Sequence, residues 1–258
     1  GAGATSAWLM VMAGIGGTAG GVGGQLDPYS SGLLLRIVAC VTGGAFLLTC
    51  LAVRGVEARV GAAPEAAHVP FREGLAEIWS ERKARNFTFF VFLSMTAYFM
   101  QELILEPYSG LVFGLTPGQS TSLSGAQNGG VFIGMVLVGV MATGFNLGSL
   151  RAWVIGGCLG SAAMLAILAT LGHVGTGAPL MPAVVGLGFF NGVFAVAAIG
   201  SMMALAGQGR HAREGTRMGL WGAAQALAAG FGGLVGAALV AVMRVGLGRD
   251  ATAFGTVF

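Results

Sequence analysis

Gln101, Glu102 and Glu106 interrupt an otherwise apolar run from Phe87 to Phe113, and Pro107 follows at once. A carboxylate at membrane depth costs roughly 2.5 to 3.5 kcal/mol on the insertion scale, so it persists where it faces a bundle interior, a cavity or a partner. Glu102 and Glu106 are four residues apart and share a helix face, with Tyr98 one turn earlier and Gln101 beside it. Two close carboxylates in a low dielectric do not both ionise, which suits the pair to share a proton or hold a cation. Pairing with an arginine, or capping backbone donors near the interface, is the other use of such a pair. At about 1.5 Å of rise per residue from Phe87, Glu102 falls beyond the midplane and Glu106 near the far interface. Pro107 lacks a backbone donor and disfavours helical geometry at Glu106, which predicts a kink or loosened turn.

Two further polar clusters lie in the apolar background. Gln127 and Asn128 sit in the glycine-flanked stretch from Gly125 to Gly130. They can hydrogen-bond across to the face carrying Glu102 and Glu106, or coordinate a ligand. Arg210, Arg213, Glu214 and Arg217 precede a run bearing Trp221 and Gln225. Those arginines suit a cytoplasmic loop, as topology signals or lipid contacts. Gln225, deep in the following run, needs an internal partner, and Trp221 is one turn away on its face. The cysteines, Cys40, Cys50 and Cys158, have no metal-ligand or redox spacing and are expected as small buried side chains.

The elements that position these groups are membrane helices. Seven apolar runs reach or approach the roughly 20 residues a crossing needs. They are Ala7 to Gly24, Gly32 to Val53, Phe87 to Phe113, Gly125 to Thr143, Leu150 to Leu171, Met181 to Gly207 and Thr216 to Met243. With only 9% charged side chains, 258 residues could not cover a water-soluble surface. The fold class is therefore an all-α integral membrane protein. Ala253 to Phe258 reads as the opening of one more helix, and the chain as a piece of a longer protein.

Counting crossings from a cytoplasmic Gly1 leaves ten Lys and Arg on or near the cytoplasmic side and only Arg36, Arg244 and Arg249 outside. The formal charge of +3 is thus topological and gives no reason to propose nucleic acid. The polar stretch 54–86 separates two crossings (1–53) from five (87–258). Within it, Pro70, Phe71, Leu75, Ile78 and Trp79 predict a short amphipathic surface helix, with Glu73 near its start and Arg82, Lys83 and Arg85 near its end. Glycines at four-residue spacing, such as Gly130 with Gly134, Gly156 with Gly160, Gly188 with Gly192 and Gly232 with Gly236, mark close helix contacts.

The run from Gln101 to Gly110, with Leu111 to Gly114 after it, resembles the signature of the bacteriochlorophyll-delivery family of the major facilitator superfamily, the light-harvesting assembly proteins of the PucC and LhaA type. The run from Gly192 to Gly207, then Gly215 to Gln225, is similar to a second block of that family. Two departures stand out. The family often has a histidine where this chain has Asn128, and Gly139 to Arg151 lacks the acidic and paired basic residues of the usual facilitator loop.

The resemblance implies a major-facilitator-type bundle in which this chain supplies the fifth to eleventh of twelve helices and the start of the twelfth. Residues 1–53 would then end the first half, 54–86 form the cytoplasmic loop between halves, and 87–258 belong to the second half. It further implies a place in a bacterial inner, intracytoplasmic photosynthetic membrane. The partners it implies are antenna polypeptides or a reaction centre–antenna core, together with lipid and a bacteriochlorophyll held transiently or stably. His68, His173 and His211 lie in loops or at helix ends, so a pigment magnesium would take oxygen from Gln101, Glu102 or Glu106, or from Gln127 or Asn128. A proton-coupled small-molecule transporter and a permanent structural subunit of a photosynthetic complex are the alternatives. No nucleophile, base and orienting group come together in these runs, so no enzyme is expected.

Overall fold

The computed structural model describes residues 31–53, 76, 79–145, 147–175, 178–206, 214–248 and 250–258. Among them are α1 (Ser31–Val53), α2 (Arg82–Phe113), α3 (Pro117–Gly139), α4 (Leu150–Val174), α5 (Leu180–Ala206), α6 (Glu214–Leu247) and α7 (Asp250–Val257). No strand occurs among the described residues. Five helices, α2 to α6, are long and apolar enough to cross a membrane. Large apolar side chains such as Leu93, Leu159, Leu227 and Leu234 are exposed on them, as a lipid-facing surface requires. The chain is an integral membrane helix bundle. Five of the seven runs thus form membrane-length helices, a sixth forms α1, and Ala7 to Gly24 lies outside the described residues.

Helix ends are set by local chemistry that hydropathy does not register. Thr116 caps α3 through a capping box: Gln119 N donates to Thr116 Oγ1 at 3.4 Å, and Thr116 N donates to Gln119 Oε1 at 3.1 Å. Pro117 stands in the first turn, where a missing donor costs nothing. The next hydroxyls bond backward into the helix, Thr121 to the Pro117 carbonyl at 2.7 Å and Ser124 to that of Ser120 at 3.2 Å. So α3 begins eight residues before the apolar run at Gly125. At its far end it widens into a π segment, Val140–Gly144.

α2 differs from expectation at both ends. Arg82, Lys83 and Arg85 open this long helix behind Glu81, and do not close a separate amphipathic one. Pro70, Phe71, Glu73, Leu75 and Ile78 lie outside the described residues. The helix also runs six residues past Pro107. It stops at Gly114, whose φ of 70° favours glycine and whose N–H reaches the Gly110 carbonyl at 3.1 Å.

Glycine registers hold the bundle together. A Cβ on Gly130 or Gly134 of α3 would strike the Val185 or Phe189 carbonyl of α5, and one on Gly188 or Gly192 would strike that of Gln127 or Val131. Both numberings rise together, so α3 and α5 run parallel with backbones in direct contact. Gly232 and Gly236 of α6 meet Thr96 and Met100 of α2 in the same sense. α4 packs antiparallel on α5, with Gly157 against Phe194 and Gly160 against Phe190, while Gly156 faces open space. Cys158 is half-buried, but Cys40 and Cys50 are exposed on α1 and not buried as expected. No extensive packing of α1 on another described helix shields them.

Candidate functional site

α2, α4 and α5 surround a cavity of about 190 Å³ lined by Tyr98, Gln101, Cys158, Ser161, Asn191 and Phe194, among others. Gln101 is 4% exposed, and neither amide atom of its side chain has a hydrogen-bond partner. Asn191 is 6% exposed; its Oδ1 accepts from Ser161 Oγ at 2.8 Å, while its Nδ2 has no partner. A buried amide left unpaired costs about 1–3 kcal/mol, so these two side chains are held at a cost that the surrounding packing must offset.

The geometry follows from helix periodicity. Ser94, Tyr98 and Gln101 fall on one stripe of α2, which continues through Leu105 to Tyr108. Tyr108 is fully buried and its hydroxyl donates to the Leu168 carbonyl, which fixes α2 against α4 two turns beyond Gln101. Gly172 leaves room for that ring: an added Cβ would lie 2.7 Å from the hydroxyl. Tyr98 packs edge-on against Phe99 at 5.4 Å.

The acidic pair stands elsewhere. One residue of helix turns the chain by about 100°, and Glu102 and Glu106 are both exposed on a face that does not line the cavity. Neither has an ion-pair or hydrogen-bond partner among the described residues. Gln127 and Asn128 do not reach them. Gln127 is buried on the side of α3 that meets Gly188, and Asn128 Nδ2 donates to the Ser124 carbonyl at 3.0 Å, one turn back in its own helix. The oxygen donors suggested by sequence therefore divide among a cavity, an open face and a packed seam.

Trp221 and Gln225 lie at a second seam. Trp221 is fully buried; its Nε1 donates to Thr88 Oγ1 at 3.1 Å and its ring meets Phe87 edge-on at 5.1 Å. Gln225 finds only a weak sulfur acceptor, Met202 Sδ at 3.9 Å. Arg217 is 6% exposed and structural: it pairs with Glu81 at the foot of α2 and donates to the Leu205 carbonyl at the end of α5 at 3.1 Å. That arrangement differs from a lipid or topology contact. Glu214 is the first residue of α6, and Arg210 and Arg213 lie outside the described residues.

A larger cavity of about 380 Å³ opens near the ends of α2, α3 and α5, between Phe113, Leu123 and Met181. Its amide, Gln119, is already committed to the capping box. No cluster of three acidic, His or Cys side chains that could hold a metal occurs among the described residues. The Gln101 cavity falls below the 300–1,000 Å³ typical of sites for drug-sized ligands. Sequence reasoning passes over Asn191 and Ser161 and takes Cys158 only as a small buried side chain, though Asn191 is the single amide in the 27-residue span of α5.

The profile of the PUCC protein family matches residues 2–258. The "Bacteriochlorophyll synthase 44.5 kDa chain" of Rhodobacter capsulatus is 64% identical over all of this chain, which covers 60% of that relative. "Protein PucC" of Cereibacter sphaeroides is 30% identical over 89% of this chain and 48% of its own length. An "Uncharacterized protein in puhA-bchM intergenic region" of Rhodobacter capsulatus is 29% identical over 90% of this chain and 48% of its length. The chain thus spans about half to three fifths of these curated relatives. No solved structure matches it.

Proposed function

The chain belongs to the PUCC protein family, and from that premise we propose that it serves the assembly of light-harvesting complexes in a photosynthetic membrane. It would hand bacteriochlorophyll to antenna polypeptides or hold those polypeptides while pigment loads. The carrying observation is 64% identity over the whole chain to a protein whose name ties it to bacteriochlorophyll. The Glu102 and Glu106 face is the proposed contact for cargo, because it is open and neither carboxylate has a partner among the described residues. The ends of the bundle that carry Arg82, Lys83, Arg85 and Arg151 would face the cytoplasm, on the excess of basic residues there.

Purification of the tagged protein in mild detergent, read by absorbance and mass spectrometry, tests this. The expected result is pigment and antenna polypeptides recovered together in less than stoichiometric amount, with antenna absorbance lost in a deletion strain. A preparation free of both, from a strain whose antenna survives deletion, refutes it. Fixed stoichiometry in the mature complex would instead identify a structural subunit.

One observation favours a second reading. Two unpaired carboxylates a turn apart on an exposed face suit a proton-coupled carrier. That reading expects uptake into vesicles driven by a pH gradient and abolished by Glu106→Gln.

A further inference from the structure

Where α2 begins, positive charge collects with nothing to answer it. Arg82, Lys83 and Arg85 stand in the first turn of this helix, where the helix dipole is itself positive and cations are disfavoured. That turn holds no acidic side chain, and Glu81, the capping residue, makes no side-chain bond to the helix amides. Its carboxylate is committed to Arg217. None of the three cationic side chains has an ion-pair or hydrogen-bond partner among the described residues.

The surface beside them is ordered in the way a phospholipid is. Arg82, Asn86, Phe89 and Leu93 follow at helical spacing and form one stripe along α2, and all four are exposed. Arg85, half-buried, is one turn from Arg82. Trp79 is exposed at the same end, its ring 5.7 Å from that of Phe89, which suits the interface between headgroups and hydrocarbon. From Arg82 to Leu93 the stripe rises about 16 Å, close to the roughly 15 Å of hydrocarbon in one leaflet. Past Leu93, Thr96 and Met100 are met by Gly232 and Gly236 of α6, so the open stripe ends there.

We propose that this stripe seats one phospholipid whose headgroup phosphate has no balancing amine. Arg82, with Arg85 beside it, donates to the phosphate oxygens, and one acyl chain runs over Phe89 and Leu93. A choline or ethanolamine headgroup would bring a further cation to a place that already lacks a counter-charge. A free phosphate ion would answer the arginines and leave the apolar part of the stripe uncovered. The inference stands apart from the assembly reading, since it needs neither a pigment nor an antenna partner.

The test is native mass spectrometry of the purified, delipidated chain in mild detergent, titrated with dioleoyl phosphatidylglycerol or dioleoyl phosphatidylcholine. One phosphatidylglycerol is expected to bind at least tenfold more tightly than phosphatidylcholine, and millimolar inorganic phosphate should not displace it. A basic side chain at a membrane surface is worth about fivefold, so Arg82→Gln should cut the preference about that much. Lys83→Gln, about 100° off the stripe, should change it twofold or less. Phe89→Ser should weaken both lipids alike. Thermal unfolding without added lipid, expected to be the same for Arg82→Gln and the parent, separates lost binding from lost fold. Equal affinity for the two lipids overturns the proposal, and so does an effect of Lys83→Gln as large as that of Arg82→Gln, which would show a general field and no seat. Displacement by inorganic phosphate would assign the arginines to a free anion and overturn it as well. Benzoylphenylalanine in place of Leu93, irradiated in native membranes, should capture lipid; capture of a polypeptide instead would give the stripe to a protein partner and refute the lipid seat.

Discussion

The parallel seam of α3 and α5 allows a test in which one substitution is expected to act with opposite signs at neighbouring positions. An alanine Cβ at Gly134 would sit 3.0 Å from both Phe189 C and Val193 N, and closer still to the Phe189 carbonyl oxygen. Those are backbone atoms that cannot rotate away, so the helices must separate by roughly 1 Å to reach ordinary contact, a gap that forfeits a quarter to a half of each dispersion well. Overpacking of this kind costs about 1–3 kcal/mol. Glycine-to-alanine exchange inside a helix returns about 0.5–1 kcal/mol, leaving a net loss of about 0–2.5 kcal/mol. At about 2–4 °C per kcal/mol for a chain of this size, Gly134→Ala should lower the midpoint by up to about 10 °C. Gly129, in the same helix, has nothing within 4 Å of an added Cβ, so Gly129→Ala should leave the midpoint unchanged or raise it. Gly188→Ala and Gly192→Ala share one seam and should cost less together than the sum of their separate effects, because the first separation admits the second Cβ. Thermal unfolding in detergent, followed by circular dichroism, reads all four. Equal shifts for Gly134→Ala and Gly129→Ala would refute the idea that these helices meet backbone to backbone.

Trp221→Phe and Thr88→Val each remove the bond between Nε1 and Oγ1; each should cost about 1 kcal/mol in the same assay, and the double variant should cost clearly less than the sum. Arg217→Ala should destabilise by about 2–3 kcal/mol through loss of its bond to the Leu205 carbonyl and its buried stem. Glu81→Gln should cost about 1 kcal/mol, since that carboxylate is 42% exposed and partly screened; urea titration ranks the two, and a larger effect at Glu81 contradicts the structure. Glu102→Gln with Glu106→Gln should leave stability within about 0.5 kcal/mol of the parent in detergent. The same pair should reduce recovery of pigment and antenna polypeptides severalfold, measured by absorbance of the purified material; undiminished recovery would remove this face from the function.

Helix identity was legible because apolar runs of crossing length have few other uses, whereas helix ends were legible only where capping residues were weighed. The capping box of Thr116 with Gln119 is written in the sequence, yet the hydroxyl-rich segment after it reads as loop on hydropathy alone. Its hydroxyls become tolerable inside the helix by bonding to their own backbone, a local solution invisible to an average. At the site, the rule that singles out Gln101 as an isolated amide at membrane depth applies equally to Asn191. What sequence could not supply was direction. Gln101 and Glu102 are adjacent in the chain, but about 100° of helix rotation sends one into a cavity and the other onto an open face. Arg217 shows the converse, because a basic residue beside a polar loop looks exposed until tertiary packing closes Glu81 and the end of α5 around it.

The placement of charge also restricts what can surround the bundle. Two carboxylates facing acyl chains would together cost about 5–7 kcal/mol on the insertion scale, comparable with the whole folding free energy of many domains, about 5–15 kcal/mol. The side of α2 bearing Glu102 and Glu106 is therefore unsuited to lipid and requires water, a counter-charge or a polar partner against it. The opposite requirement holds where Leu93, Leu227 and Leu234 are exposed, since lipid covers such side chains at no cost. Amides occupy the middle ground: Gln101 and Asn191 are neutral, so what they lack is hydrogen-bond partners and not a counter-charge. An open acidic face thus calls for a polar or proteinaceous neighbour, which a surface of acyl chains would not supply.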